Sequence, residues 1–170
     1  EHFAIVCVDP AKHRSAWMMA DYFGNVLVEP QVLQHVGAGF KLAVEQIHQV
    51  QQKHDIQDLI VVVERTGNYY LPAKRAFAGA GFETRIVNPF ATKQYRMPAN
   101  PGNKTDETDL FAQHRAAVAG FGLCEFELES PYRELQLRAR HRRNLVQQAA
   151  ALACQIREHL HLGMPGYANL

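Results

Sequence analysis

The sequence contains no uninterrupted apolar run near the ~20 residues needed to cross a bilayer, so no membrane-spanning helix is expected. Its three cysteines, Cys7, Cys124 and Cys154, are odd in number, widely spaced and without a C-x-x-C pair. That pattern argues against a disulfide framework and a zinc site, and makes the cytoplasm the natural compartment. None of the nine histidines has H-x-x-x-H or H-E-x-x-H spacing, so no transition-metal site is expected. Charge of either sign is not in excess: 18 Lys and Arg stand against 17 Asp and Glu, for a net charge of +1. Bulk charge therefore does not announce a nucleic-acid binder. The first apolar run is followed by "DPAKHR", which lacks the Gly-rich turn that actin-like and sugar-kinase ATPases use to hold phosphate. The opening "EHFAIVCVD" has no basic region ahead of an apolar stretch and does not read as a signal peptide. It does not begin with Met, and a longer parent chain is expected.

What is present reads as an α/β protein. "FAIVCVD" is a short β-branched run ending at Asp9, and "SAWMMADYFGNVLVEP" reads as two strands around a Gly24-Asn25 turn. Val32 or Leu33, Val36, Phe40, Val44, Ile47 and Val50 recur at helical spacing, which predicts a helix over residues ~31–54. "DLIVVVE" (58–64) has the continuous Val/Ile content of a strand buried on both faces. A helix over 69–82 with Pro72 in its first turn, a strand over 83–89, a polar loop and a helix over about 105–119 complete the alternation. The order, an antiparallel meander followed by crossovers, matches a ribonuclease H-like mixed sheet flanked by helices. A long helix over roughly 131–161 then follows, dividing the chain into a catalytic-type domain (1–122) and a helical extension (123–170).

Four acids stand at telling places. Asp9 and Glu64 end strands, and Asp106 and Asp109 are three apart at the start of a helix, where they share a face. Each alone has an ordinary explanation: a turn former before Pro10, a strand-end charge, helix caps. In open α/β sheets ligands bind beyond the carboxyl ends of the strands, where Asp9 and Glu64 fall. Carboxylates crowded there would repel one another without cations between them, and hard oxygen ligands suit Mg²⁺, with Mn²⁺ as a substitute. In the extension, "YRELQLRARHRR" (132–143) concentrates Arg138, Arg140, Arg142 and Arg143, either as a solvated face or as a phosphate-binding one. Lys104, beside the acidic helix, is a further candidate for phosphate. Leu145, Ala149, Leu152, Ile156 and Leu160 form an apolar seam, suited to packing on the chain's own domain or to dimerisation.

"VDPAKHR", "VVVERTGNYYLPAKRAF", "GFETRIVNP" and "NKTDETDL" resemble the successive motifs of the DEDD transposases, insertion-sequence recombinases related to the pilin-gene invertase. Their N-terminal domain is similar to the RuvC junction resolvase. The resemblance runs from about Phe3 to Leu160, and E-x-T-G-x-Y followed by K-T-D-x-x-D is its distinctive part. It implies that Asp9, Glu64, Asp106 and Asp109 are the four acids that name the family. It also implies a metal-dependent recombinase acting as an oligomer on donor and target DNA, guided by a structured RNA, in the bacterial or archaeal cytoplasm. Family members carry a further C-terminal domain with a nucleophilic serine. Here the only serines are Ser15 and Ser130, neither in a matching context, so that domain is expected to be absent from this chain. Leu110 stands where the family has a small residue. Two alternatives remain: a stand-alone junction resolvase-like nuclease, and a non-catalytic module for guide-RNA binding and dimerisation.

Overall fold

A computed structural model describes residues 2–96, 105–125, 130–164 and 166, except for the side chain of Asp106. Five strands form one sheet: β1 (Phe3–Pro10), β2 (Arg14–Asp21), β3 (Val26–Gln34), β4 (Asp58–Glu64) and β5 (Glu83–Val87). Their order is β3-β2-β1-β4-β5, with β1, β2 and β3 antiparallel and β1, β4 and β5 parallel. This is the mixed sheet expected of a ribonuclease H-like fold. Helices α1 (Gly37–His54) and α2 (Tyr70–Gly79) make the crossovers, and α3 (Pro89–Tyr95), α4 (Asp106–Val118) and α5 (Ser130–Gly163) follow. The chain separates into two compact units, residues 1–125 and 126–170.

Alternation along the central strands gives the sheet two buried faces. Ala4, Val6 and Val8 of β1 and Val61 and Val63 of β4 pack with Ala43 and Ile47 of α1 and Ala73 and Phe77 of α2. Ile5 and Cys7 of β1 and Ile60 and Val62 of β4 pack on the other face with Ala91 of α3 and Leu110 and Ala116 of α4. Leu110 is fully buried in this second core.

Two local expectations are corrected. The first helix begins at Gly37, because β3 continues through Pro30 to Gln34. β3 is an edge strand, where the missing proline N–H breaks no ladder, and Leu33 is buried as a strand residue. Gly39 then lets α1 start against this strand, since a Cβ there would lie 2.4 Å from the Gln34 carbonyl oxygen. Residues 91–95, read as loop, belong to α3, and the strand expected to run to Pro89 ends at Val87: Asn88 caps α3 by accepting from the Phe90 N–H at 2.9 Å, and Pro89 fills its first position.

Candidate functional site

Asp9 and Glu64 fall at the ends of two strands that are neighbours in the sheet. The parallel register pairs Val8 with Val63 and puts Asp9 and Glu64 one step further along neighbouring strands, which run about 4.8 Å apart. By alternation both belong to the face that carries Cys7 and Val62, the face covered by α4. Both carboxylates are half-buried at the carboxyl ends of their strands. The chain turns sharply after Glu64: the Thr66 N–H donates to the Glu64 carbonyl, and Gly67 has φ +54°, which explains a glycine there without any close approach.

Helix α4 is fixed to this edge by a buried polar side chain. Gln113 Nε2 donates to the carbonyl oxygens of Val8 (3.1 Å) and Val62 (2.9 Å), the residues just before and two before the strand-end acids. Both partners are acceptors, so the orientation of the amide is fixed by chemistry. His114 Nε2 meets the Asp21 carbonyl at 2.8 Å, at the end of β2 that pairs with the start of β1. These two anchors direct the first turn of α4 toward the carboxyl ends of β1 and β4. Gln113 leaves its Oε1 buried without a partner. Desolvation holds the His114 imidazole below its ordinary pKa of 6.5, more than its bond to Asp21 raises it, with Arg115 also lowering it.

Thr105 supplies the cap of α4: its hydroxyl accepts from the Thr108 N–H at 3.2 Å, and Thr108 Oγ1 accepts from the Thr105 N–H at 3.1 Å. Asp109, one turn before Gln113, is buried, and both its oxygens are taken by Arg96. Nε reaches Oδ1 at 2.5 Å and Nη2 reaches Oδ2 at 2.8 Å. Asp106 opens α4, but its side chain lies outside the described residues, as does all of Lys104.

A cation cluster follows Glu64. Arg65 Nη2 lies 3.2 Å from Glu125 Oε1, and the buried Lys74 is 3.5 Å from Glu125 Oε2 and donates to the Glu125 carbonyl at 2.8 Å. Tyr70 donates to the same carboxylate at 2.9 Å. Tyr70 is therefore a buried core residue, while Tyr69 remains half exposed. Neither Arg96 nor Gln113 was anticipated as part of the site. A polar residue at a core position of α4, between Leu110 and Ala116, was the one signal available for Gln113.

On donor chemistry the carboxylates suit a hard divalent cation. Among the described residues, though, no three Asp, Glu, His or Cys side chains gather closely enough to hold one. Asp109 faces a guanidinium instead.

The second unit is α5 alone among the described elements, and none of its residues is buried. Arg138 pairs with Glu134 one turn earlier, and Arg140, Arg142 and Arg143 are exposed. Leu145, Leu152, Ile156 and Leu160 are exposed as well. No described helix is long and apolar enough to cross a membrane.

A mixed sheet of this order, flanked by helices, is the ribonuclease H-like fold. The family is narrower: residues 6–165 match the transposase family of DEDD, IS110-type elements, and the chain belongs to it. No individual curated protein matches the sequence. In structure the chain is similar to T. thermophilus RuvC in complex with a Holliday junction substrate, at 13% identity over 72% of this chain and 99% of that one, with a TM-score of 0.44. It is similar also to Thermus thermophilus RuvC alone (12%, 71% and 98%, 0.42) and to an Aquifex aeolicus Ppx/GppA family member (9%, 58% and 39%, 0.36).

Proposed function

We propose that this chain is the DNA-cleaving domain of a transposase, performing divalent-metal-dependent strand cleavage and exchange under the guidance of a structured RNA. Family membership supports DNA cleavage and recombination as the activity. The observation that supports the site is the pairing of Val8 with Val63, which leaves Asp9 and Glu64 at the ends of adjacent parallel strands, with Asp106 and Asp109 in the first turn of the helix on that face. In this reading Asp9, Glu64, Asp106 and Asp109 would hold Mg²⁺. A bound ion would supply charge stabilisation for phosphodiester cleavage and lower the pKa of an attacking water. The chain's own contribution is to fix the acids: β1 and β4 set the separation of two, and Gln113 ties the helix bearing the others to those strands.

Arg138, Arg140, Arg142 and Arg143 are read as contacts to nucleic-acid phosphates, with Lys104 a further candidate near the acids. The exposed seam of α5 is read as joining copies of the chain into an oligomer, since Leu152 and Ile156 would otherwise stay wet. The free cysteines accord with action in the cytoplasm. Incubation with element-end DNA, guide RNA and Mg²⁺ tests the reading. Cleavage should depend on the metal and be lost in Asp9→Asn and Glu64→Gln. Tight RNA binding with Mn²⁺ bound but no cleavage would favour the non-catalytic module instead. Cleavage of unrelated four-way junctions without RNA would favour a resolvase.

A further inference from the structure

We infer that Arg96 is a built-in counter-ion that holds Asp109 in the metal-free protein and competes with the metal for that carboxylate. This rests on the reading of Asp109 as a metal ligand. A carboxylate as buried as Asp109, with 4% of its surface exposed, calls for a hydrogen-bonded cation as its partner. Arg96 is that cation, and its fork engages both carboxylate oxygens at once. An ion binding Asp109 would share these two oxygens with the guanidinium, and repulsion between the two positive charges sets them in competition.

The pair is held on both sides. Arg96 directly follows α3, whose start is capped by Asn88 and whose last residue, Tyr95, accepts from Arg115 Nε of α4 at 3.2 Å. The Tyr95 ring also packs edge-on against Phe121 at 5.7 Å. The guanidinium thus reaches Asp109 from a backbone already fixed to the same helix. Arg96 side-chain exposure is 26%, so the group has a path to solvent when an ion replaces it. The arrangement keeps the carboxylate oriented in the metal-free protein, and it sets a threshold of metal concentration for assembling the site.

The alternative is a clamp that merely ties α3 to α4. Both readings expect Arg96→Gln to lower thermal stability, so the deciding measurement is Mn²⁺ affinity by calorimetry on the folded proteins. Competition expects Arg96→Gln to bind Mn²⁺ about tenfold more tightly, equivalent to about 1.4 kcal/mol. It also expects that gain to vanish when Asp109→Asn is present in both proteins of a double-mutant cycle. Equal or weaker binding by Arg96→Gln overturns the inference while leaving the metal reading intact, as does a gain that persists alongside Asp109→Asn. Absence of Mn²⁺ binding in both the wild type and Arg96→Gln overturns the metal reading and this inference with it. Should Arg96→Gln fail to fold, Arg96→Lys keeps the charge but loses the fork. About threefold tighter binding is then expected, and an unchanged affinity overturns the inference.

Discussion

Replacing Gln113 with Met keeps the length and volume of the side chain but removes both N–H donors that join α4 to β1 and β4. Each bond contributes about 0.5–1.5 kcal/mol net, so losing the pair costs about 1–3 kcal/mol. The same change removes the buried, partnerless Oε1, which returns about 1 kcal/mol. The balance is a loss of about 0–2 kcal/mol, visible as a drop of up to about 8 °C in Tm. Urea unfolding followed by circular dichroism should show a lower midpoint with an unchanged slope, because the surface exposed on unfolding is the same. Gln113→Glu sharpens the test, since a carboxylate would face two carbonyl oxygens with nothing to donate. Its folded pKa should be raised, so its stability should be best below the ordinary Glu value of about 4.3 and fall as pH rises through the raised one. A Gln113→Met midpoint above that of wild type, or a Gln113→Glu protein no less stable at neutral pH, would refute the view that this side chain fastens the helix.

The depressed pKa of His114 means that the stability it lends is present above about pH 6.5 and lost as pH falls through its folded value, so His114→Gln should narrow the Tm gap between about pH 7.5 and pH 5.5. His35, also depressed, chiefly by desolvation and then by His13, should leave part of that gap in place. Changing Arg138, Arg142 and Arg143 together to Ala should flatten the plot of log nucleic-acid affinity against log salt by a slope of about two to three, whereas a purely structural role leaves the slope unaltered. Leu152→Asp should shift the protein toward monomer in sedimentation without lowering Tm in the 1–125 unit, and an unchanged mass would sever the seam from association.

The central strands were legible because burial on both faces demands what "FAIVCVD" and "DLIVVVE" contain, and no other element offers that composition. β3 was misjudged beyond Pro30 because a proline reads as a stop, while Leu33, Val36 and Phe40 mimic a helical period. Only the sheet order reveals that this strand lies at an edge where proline is tolerated. α3 carried a readable signal in Asn88-Pro89, but at seven residues it is too short to show an apolar face. Asp9 and Glu64 could be brought together from the sequence because two parallel strands align their ends. The partners of Asp109 and Gln113 could not. Arg96 lies 13 residues from Asp109 along the chain, and Val8 lies 105 residues from Gln113, so both contacts exist only once the helices are docked on the sheet.

The central claim is that the acids of β1, β4 and α4 form one metal-binding site, and a crystal soaked in Mn²⁺ tests it most directly through anomalous scattering. The account expects an ion bounded by Asp9 and at least one of Asp106 and Asp109, at carboxylate distances of roughly 2.0–2.3 Å, with the Arg96 guanidinium moved off Asp109 wherever that residue is a ligand. The peak should disappear in Asp9→Asn, which removes a charge without changing the side-chain volume. A Mn²⁺ ion bound away from Asp9 and Glu64, or a peak undiminished in Asp9→Asn, would contradict it.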